Sequence, residues 1–430
     1  AKGLDFLAQL AIRQVSMDRV NRHPGESFDE IVPKRVAYLI DQLKHPSEVA
    51  LLRKVYDENF ILIGVLCGFQ QRRRNLSRDK IEASEAERLM ERDRREDENY
   101  GQKLEKTLQL SDFFVRNSRA NTTELRKPLS RFLNLIHGSN ATTPTQDEQG
   151  MYAAFAAALG SACLSRQVGA SIIDSHGELI ATGCNDVPRA GGGLYREDED
   201  KATDHRCVHL EGGTCFNDRT KDAIATEIRQ LLREQLTSGL AAQAVPATVI
   251  GGLVDSISRK IRGESRLKDL IEFSRAVHAE MDALVSVARV GTARTQAGVL
   301  YTTTYPCHNC ARHIVASGIR SVYFIEPYEK SLAYELHWDA IDHDANEGMS
   351  AESWTLQAST DRKVRFLHFE GVAPRRFLDL FSAQGRKDPV SGKARAWSPR
   401  VAEKKSPEFL EGYIDLEARV VKHLQEIGVS

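Results

Sequence analysis

Two short segments of the sequence contain residue types that bind a transition metal. His278 lies in VHAEMDAL, and Cys307 and Cys310 form a Cys-x-x-Cys pair in YPCHNCARHI. One imidazole nitrogen and two thiolate sulfurs suit tetrahedral zinc, and three protein ligands leave a fourth position for water, as in catalytic zinc centres. We expect both segments to open helices, where free backbone amides favour thiolates. The spacing therefore predicts a catalytic zinc site.

Glu280 follows His278 by two residues, so on a helix its side chain points away by about 200° and need not bind the same metal. An H-x-E segment with P-C-x-x-C is the signature of zinc-dependent nucleobase deaminases, in which a non-ligand glutamate moves protons. We expect Glu280 to accept a proton from the attacking water and to deliver it to the substrate. The alternative is a structural zinc knuckle beside a surface glutamate, which would need a fourth ligand that the sequence does not make evident.

The elements around these residues alternate between strands and helices. VGASIID and ELIATGCN predict a hairpin, and helix SRAVHAEMDALVSVARVG precedes strand GVLYTTTYP. Helix CHNCARHIVASG and strand SVYFIEPY follow. This alternation predicts a layered α/β sheet that carries the metal site at the starts of two helices.

The chain has 430 residues, which is more than one hydrophobic core usually supports. We predict a first domain at 1–140, a second at 141–390 with an insertion at about 186–265, and a helical tail at 391–430. The 59 basic and 60 acidic residues give a net charge of −1, which removes a global electrostatic argument for nucleic-acid binding. No apolar run approaches about 18 residues, so we expect no membrane segment.

The N-terminal sequence AKGLDFLAQL lacks the layout of a secretory signal, and the seven cysteines form an odd number. We therefore expect a cytoplasmic protein without a disulfide framework. Cys67, Cys163 and Cys184 are most simply small buried residues.

Two apolar runs, VAYLID at 36–41 and FILIGVL at 60–66, flank a helical segment and predict a βαβ unit with a parallel strand pair. Asp41 would then end a strand, and Arg72 and Arg73 would follow the next one. Residues 77–117 are dense in charge and predict helices.

Residues 150–330 resemble the deoxycytidylate deaminase family through QVGASIID, ATGCNDVP, VHAEMDAL and YPCHNCARHI. The resemblance implies a cytidine-deaminase-like three-layer α/β/α domain and a deoxycytidine nucleotide substrate. It also implies that Asn185 contacts the deoxyribose, with Asp186 at a position where the family often has Gly; the alternative for Asn185 is a turn residue.

Three further residues are candidates for the substrate site. The guanidinium of Arg166 suits a phosphate, although exposed arginines are common. Tyr328 and Lys330, in FIEPYEKSLAYEL, resemble the loop that borders the substrate in the same family, and their alternative is ordinary loop surface.

A second group of soft donors lies in the insertion, in DHRCVHLEGGTCFND. Four such donors could close a second, structural zinc site. The alternative is an ordered loop in which the His and Cys side chains have roles other than metal binding. The four residues are His205, Cys207, His209 and Cys215.

The N-terminal segment DQLKHPSEVALLRKVYDENFILIGV, followed by three arginines, resembles a P-loop kinase core that lacks the G-x-x-x-x-G-K-[ST] phosphate loop. This resemblance implies Mg²⁺ with a nucleotide near Asp41, Arg72 and Arg73. A kinase-like domain joined to a deaminase domain resembles the antiviral deoxycytidine nucleotide deaminases of bacteria. That resemblance implies conversion of dCMP and dCTP during phage infection, inhibition by a small RNA in some members, and a homo-oligomer.

Three other functions compete with this interpretation. A deaminase of RNA or single-stranded DNA would share the zinc site, but the near-zero net charge counts against it. A non-catalytic nucleotide or RNA sensor has no need of Glu280 as a proton shuttle. Housekeeping pyrimidine synthesis requires neither the first domain nor the insertion.

Overall fold

The computed structural model divides into two compact units. The first unit comprises Ala1–Tyr152, Ile325–Pro327 and His368–Ser430, and the second comprises Ala153–Phe324 and Tyr328–Leu367. The structure describes residues 3–25, 36–67, 69–94, 103–117, 122–197, 200, 202–210, 212–240, 245–328, 331–343, 362–382, 385–395, 397–398 and 413–428.

Helices and strands alternate along most of the chain. The helices are α1 Phe6–Arg22, α2 Pro46–Tyr56, α3 Phe69–Arg78, α4 Ala83–Arg94, α5 Leu104–Leu108, α6 Thr122–Ile136, α7 Gln146–Ala158, α8 Phe216–Gly239, α9 Ala247–Glu264, α10 Ala279–Val290, α11 His308–Ala316, α12 Ala333–Leu336, α13 Phe377–Phe381 and α14 Tyr413–Glu426. The strands are β1 Ile63–Leu66, β2 Phe113–Arg116, β3 Gly169–Ile173, β4 Leu179–Cys184, β5 Val299–Thr304, β6 Ser321–Glu326, β7 Ile341–Asp342, β8 Val364–His368 and β9 Gly371–Val372.

The first unit contains a three-stranded sheet in the order β1-β2-β9. β1 and β2 are parallel, and β9 is antiparallel to β2. Phe113 of β2 stacks on Phe132 of α6 with ring centroids 4.4 Å apart, and both side chains are buried. The sheet therefore buries its apolar face against α6.

The C-terminal helix α14 packs against α1 and α2 of the same unit. Its Leu416 and Val420 contact a small core that includes Ile12 of α1. Arg19 of α1 and Glu417 of α14 form a buried ion pair. Because a buried charge without its partner is costly, this pair fixes how α14 lies on α1.

The prediction of a strand at 36–41 is wrong. Residues 36–44 form no regular secondary structure, and Leu39 is 96% exposed. The strand that runs parallel to β1 is β2, in a segment where the charge-dense sequence predicts helix. An apolar run reveals neither its burial nor its partner, and β2 is only four residues long.

This correction changes the candidate residues of the first unit. Asp41 is exposed and does not end a strand, so the strand-end position expected for it is wrong. Arg72 and Arg73 lie in α3, the helix that follows β1.

The second unit contains a six-stranded sheet in the order β4-β3-β5-β6-β8-β7. The predicted hairpin is confirmed, since β3 and β4 pair antiparallel, and β3 also pairs antiparallel with β5. The buried core combines residues of this sheet with Ala283 of α10 and Ile314 of α11. The unit is a mixed α/β domain, in agreement with the predicted class.

Two glycines allow helices to approach this sheet closely. A Cβ on Gly169 of β3 would lie 1.9 Å from the Ala154 carbonyl oxygen of α7. A Cβ on Gly183 of β4 would lie 2.4 Å from the Ala279 carbonyl oxygen in the first turn of α10. Only glycine leaves room for backbone contacts this short.

The segment at about 186–265, which we predict to be an insertion, contains two long helices, α8 and α9. Arg229 of α8 bonds Asp255 of α9 at 2.6 Å, and Arg262 of α9 bonds Asp222 of α8 at 2.6 Å. The contact-based units also differ from the sequence-based domains at the C-terminus. Residues 368–430 group with the first unit because β9 pairs with β2 and α14 packs on α1.

None of the helices in the described ranges combines the length and apolar character needed to cross a membrane.

Candidate active site

The candidate metal ligands stand at the starts of two helices. His278 is the residue that precedes α10, and Cys307 precedes α11, directly after β5. The Val277 amide donates to the Asp186 carbonyl oxygen at 3.0 Å, which ties the start of α10 to the end of β4. At the start of α11 the Cys310 amide donates to the Cys307 sulfur at 3.4 Å. The candidate ligands therefore lie at the starts of two helices that pack on the sheet, as the sequence predicts.

The three candidate ligands meet in space. His278 Nδ1 lies 3.2 Å from Cys307 Sγ and 3.4 Å from Cys310 Sγ, and the ligating atoms lie within 4.8 Å of one another. In tetrahedral zinc, bonds of about 2.0–2.1 Å to nitrogen and 2.3 Å to sulfur place such donors roughly 3.5 Å apart. The two thiols are buried. Donor types and spacing therefore fit a zinc ion.

The contacts within this cluster shift the protonation of its members. The pKa of Cys307 is lowered by a hydrogen bond from the Cys310 thiol, and the contact with His278 lowers it further. The same contact with Cys307 raises the pKa of His278 to about 8, against the effect of burial. A thiolate at Cys307 is the form that binds metal.

Glu280 lies beside the metal ligands and outside the ligand set. Its Oε2 is 3.4 Å from Cys310 Sγ, and its side chain is buried. Burial raises the pKa of the Glu280 carboxyl, and Cys307 adds to the rise. Glu280 therefore lies next to the candidate metal ligands, which is the position that the sequence predicts for it.

A cavity opens above this cluster, and residues from several segments line it. Three of the predicted substrate residues, Asn185, Arg166 and Tyr328, lie on its wall. The Arg166 guanidinium lies over the Tyr328 ring, 5.1 Å from its centroid. The fourth, Lys330, lies outside the described residues. His278, Glu280 and Cys307 line the same cavity, so it joins the metal cluster to the candidate substrate residues.

Both ends of the Asn185 side-chain amide bond the backbone of a neighbouring loop. Its Oδ1 accepts from the Val168 amide at 2.7 Å, and its Nδ2 donates to the Arg166 carbonyl oxygen at 2.8 Å. Asn185 is therefore a structural residue of the cavity wall as well as a candidate substrate contact.

The predicted second zinc site does not form among the described residues, since His278, Cys307 and Cys310 make the single group there with metal-binding spacing. His209 instead faces Asp204, with Nε2 3.3 Å from Oδ2, and His205 packs edge-on against Tyr195. Metal-binding residues that are close in the sequence need not meet in space, because other contacts of the loop also determine where their side chains lie. The four donors of the prediction were His205, Cys207, His209 and Cys215.

The other cysteines are less buried than predicted. Cys67, Cys163 and Cys184 are all partly exposed, and Cys163 lines the cavity. Cys163 follows α7 in a loop and not inside an apolar helix, which explains its exposure.

The insertion and the segment after it supply cavity residues that the sequence did not single out. Asn217, in the first turn of α8, lies on the wall, and its Nδ2 donates to the Leu270 carbonyl oxygen at 3.0 Å. Tyr305, two residues before Cys307, also lines the cavity, and its hydroxyl is 2.6 Å from His343 Nε2. Because Tyr305 is so close to Cys307 in the sequence, it could have been predicted to lie near the site. The remaining wall residues from this region are Ile271, Ser274 and Ala276.

Comparison with known proteins agrees with this geometry. Residues 144–326 match the cytidine and deoxycytidylate deaminase zinc-binding region. The deoxycytidylate deaminase of Enterobacteria phage T4 is 28% identical over 188 residues, which cover 43% of this chain and 78% of the phage protein. ComE operon protein 2 of Bacillus subtilis (strain 168) is 38% identical over 56 residues, 13% of this chain and 29% of that protein.

A crystal structure of dCMP deaminase from the cyanophage S-TIM5, in complex with dCMP and dUMP, is also similar. It is 19% identical with a TM-score of 0.26, and the match covers 45% of this chain and 91% of the phage chain.

The matched region contains the three candidate metal ligands, His278, Cys307 and Cys310, and also Glu280. Residues 144–326 are therefore similar to a cytidine and deoxycytidylate deaminase zinc-binding region, and this similarity indicates a hydrolytic deaminase. The zinc-binding character of this family and the His/Cys/Cys cluster together support Zn²⁺ as the metal.

Proposed function

We propose that the second unit catalyses zinc-dependent hydrolytic deamination of deoxycytidine nucleotides, with dCMP, dCTP or both converted to dUMP or dUTP. One observation carries the proposal. The His278, Cys307 and Cys310 donors converge at a cavity, and the Glu280 carboxyl lies 3.4 Å from the Cys310 sulfur without joining the ligand set. The T4 relative is a deoxycytidylate deaminase, which supports the choice of a deoxynucleotide substrate.

The residues of the cavity account for the proton transfers of this reaction. When bound, zinc would lower the pKa of a coordinated water molecule to about 7, which would make a nucleophile available at neutral pH. Glu280 accepts the proton of the attacking water and protonates ring N3 while oxygen adds to C4. It then helps to move a proton to the departing amine. The overall change is one water consumed and one ammonia released for each uracil formed.

The two ends of the substrate would meet different residues. Cytosine would lie over the metal cluster, and the deoxyribose would reach Asn185. The phosphate would face Arg166, whose guanidinium is held over the Tyr328 ring. In this pose the reacting ring would lie next to the buried residues Cys307 and Glu280.

The first unit would serve the same reaction. The N-terminal resemblance supports a P-loop-kinase-like unit that regulates a three-layer deaminase domain during anti-phage defence, in an oligomer and under control of a small RNA. A parallel strand pair, β1 and β2, with α3 after β1 agrees with such a unit. The cellular role is tested by measuring the phage resistance of a host strain that carries Glu280→Gln. Loss of resistance in this strain would support the role.

The chemistry is tested by substrate choice. Purified protein of measured zinc content is incubated with dCMP, dCTP, cytidine and a cytosine-containing oligonucleotide, and uracil products are followed by chromatography. Conversion of the free deoxynucleotides supports the proposal and reveals the phosphate preference. Conversion of the oligonucleotide alone would replace it with nucleic-acid editing, and no conversion of any of the four would favour a sensor.

Three variants test the residue roles in the same assay. Glu280→Gln should retain zinc and lose about 10²- to 10⁴-fold in ammonia release, the usual size of a general acid–base contribution. His278→Ala and Cys307→Ala should lose both zinc and activity, because each removes a ligand. Substantial turnover by Glu280→Gln would contradict the role given to this carboxyl.

A further inference from the structure

We infer that Asp186 is a positioning residue that sets the nucleotide end of the cavity by fixing the loop of residues 161–168, called the 161–168 loop below. This inference rests on the proposed function, because it assigns the loop to substrate binding.

The carboxylate of Asp186 is buried, with 2% of the residue exposed, and it bonds only backbone amides among its described contacts. Its Oδ2 accepts from the Ala162 amide at 2.8 Å, which reaches the start of the 161–168 loop. Its Oδ1 accepts from the Val187 amide at 2.7 Å. The carboxylate thus joins the loop to the chain that leaves β4.

Asn185, the residue before Asp186, holds the other end of the same loop. Its side-chain amide bonds the Val168 amide and the Arg166 carbonyl oxygen, at 2.7 and 2.8 Å. The Ser161 hydroxyl donates to the Asn185 carbonyl oxygen at 2.6 Å. Two consecutive residues therefore clamp the 161–168 loop at both ends.

The part of the loop between these clamps faces the cavity. Cys163, Ser165 and Arg166 all line it, and Arg166 carries the positive charge that we assign to the substrate phosphate. A shift of the loop would move the Arg166 guanidinium relative to the buried metal cluster. Asp186 would consequently affect substrate binding more than the chemical step.

Asp186 contacts the segment that carries His278 through its backbone carbonyl oxygen and not through its side chain. Its backbone carbonyl oxygen accepts from the Val277 amide, next to His278, and a side-chain substitution leaves this bond in place. An asparagine at 186 offers one acceptor oxygen and turns an N–H₂ group toward a backbone N–H, so at most one of the two amide bonds survives. Such a variant separates the loop from the metal cluster.

The test compares Asp186→Asn with Asp174→Asn. Asp174 is a matched control because its Oδ1 also accepts two backbone amides, from His176 at 2.8 Å and Glu178 at 3.0 Å, in the hairpin turn away from the cavity. KM and kcat are measured with the deoxynucleotide that the parent protein deaminates. Zinc content and amide hydrogen exchange of the 161–168 loop are measured in parallel.

For Asp186→Asn we expect KM to rise about tenfold or more, the size expected when one hydrogen bond to a charged group is lost. We expect kcat to stay within about threefold, zinc to be retained, and exchange of the Ala162 amide to accelerate. Asp174→Asn should leave all four quantities unchanged. In an Arg166→Ala background the effect of Asp186→Asn on KM should shrink, because the two act through one contact.

Unchanged KM and unchanged loop exchange in Asp186→Asn would overturn the inference, as would an equal loss of kcat and zinc, which marks a general structural role. If Asp186→Asn yields too little folded protein, Asp186→Ser retains one acceptor and carries the same expectation. If the parent protein deaminates no nucleotide, the proposed function fails. Loop exchange then still decides whether Asp186 clamps the loop.

Discussion

Gly183 is the position where one added methyl group should disturb the active site most directly. It lies in β4, and α10 crosses it with the turn that carries Glu280. In Gly183→Ala the new Cβ would lie 2.4 Å from the Ala279 carbonyl oxygen and 2.5 Å from the Ala283 amide nitrogen. Both obstacles are backbone atoms, so a side-chain rotation cannot relieve them.

The size of the effect follows from these distances. Restoring an ordinary contact of about 3.4 Å requires α10 to retreat by about 1 Å. Overpacking of this kind costs about 1–3 kcal/mol of unfolding free energy. A displacement of about 1 Å at a catalytic group can cost about 100-fold in rate. We therefore expect Gly183→Ala to lose about 100-fold in kcat and to unfold at lower urea concentration.

The control is Gly251→Ala, in α9. Apart from its chain neighbours and the nearby backbone of its own helix, no atom lies within 4 Å of a Cβ built there, so the same substitution should stabilise the helix by up to about 1 kcal/mol or leave it unchanged. Both variants are compared with the parent by urea unfolding and by steady-state deamination. Full activity and unchanged stability in Gly183→Ala would refute the reasoning, because α10 would then not depend on its close contact with β4.

Two further predictions concern buried charges. Glu417→Ala should cost about 3–5 kcal/mol of unfolding free energy, because it leaves Arg19 buried without its partner. The double variant Arg19→Met with Glu417→Leu should recover most of this loss. Equal stability of the parent and Glu417→Ala in urea unfolding would contradict the prediction. The pKa of Asp204 is lowered, chiefly by its hydrogen bond with Arg206, so its contribution to stability is present above the ordinary carboxyl pKa of 3.8 and is lost as the pH falls through the lower folded-state value. The parent should therefore lose more stability than Asp204→Asn when urea unfolding is repeated at acid pH, and parallel losses would disprove the assignment.

The prediction from sequence succeeded where the information is local. His278 and Glu280 are two residues apart at the start of one helix, and Cys307 and Cys310 are three apart at the start of another, so helix geometry alone fixes most of their relation. The hairpin of β3 and β4 was equally accessible, because its strands are adjacent in the chain.

The prediction failed where a segment depends on distant partners. The segment VAYLID predicts a buried strand, yet its residues are exposed and form no strand. By contrast, β2 is a strand because it pairs with β1, some 50 residues earlier, and with β9, more than 250 residues later. Soft donors at 205–215 suggested a zinc site, but Asp204 and Tyr195 provide contacts for the two histidines instead.

By itself, the sequence identified the candidate metal ligands, the adjacent glutamate and the class of chemistry, since these depend on residue type and short spacing. Only the tertiary structure decided which segments enclose the cavity. Asn217 of the insertion and Arg166 of the 161–168 loop reach it through hydrogen bonds and packing between residues far apart in the chain. Such contacts depend on close packing of already folded elements, and no periodicity in the sequence records them.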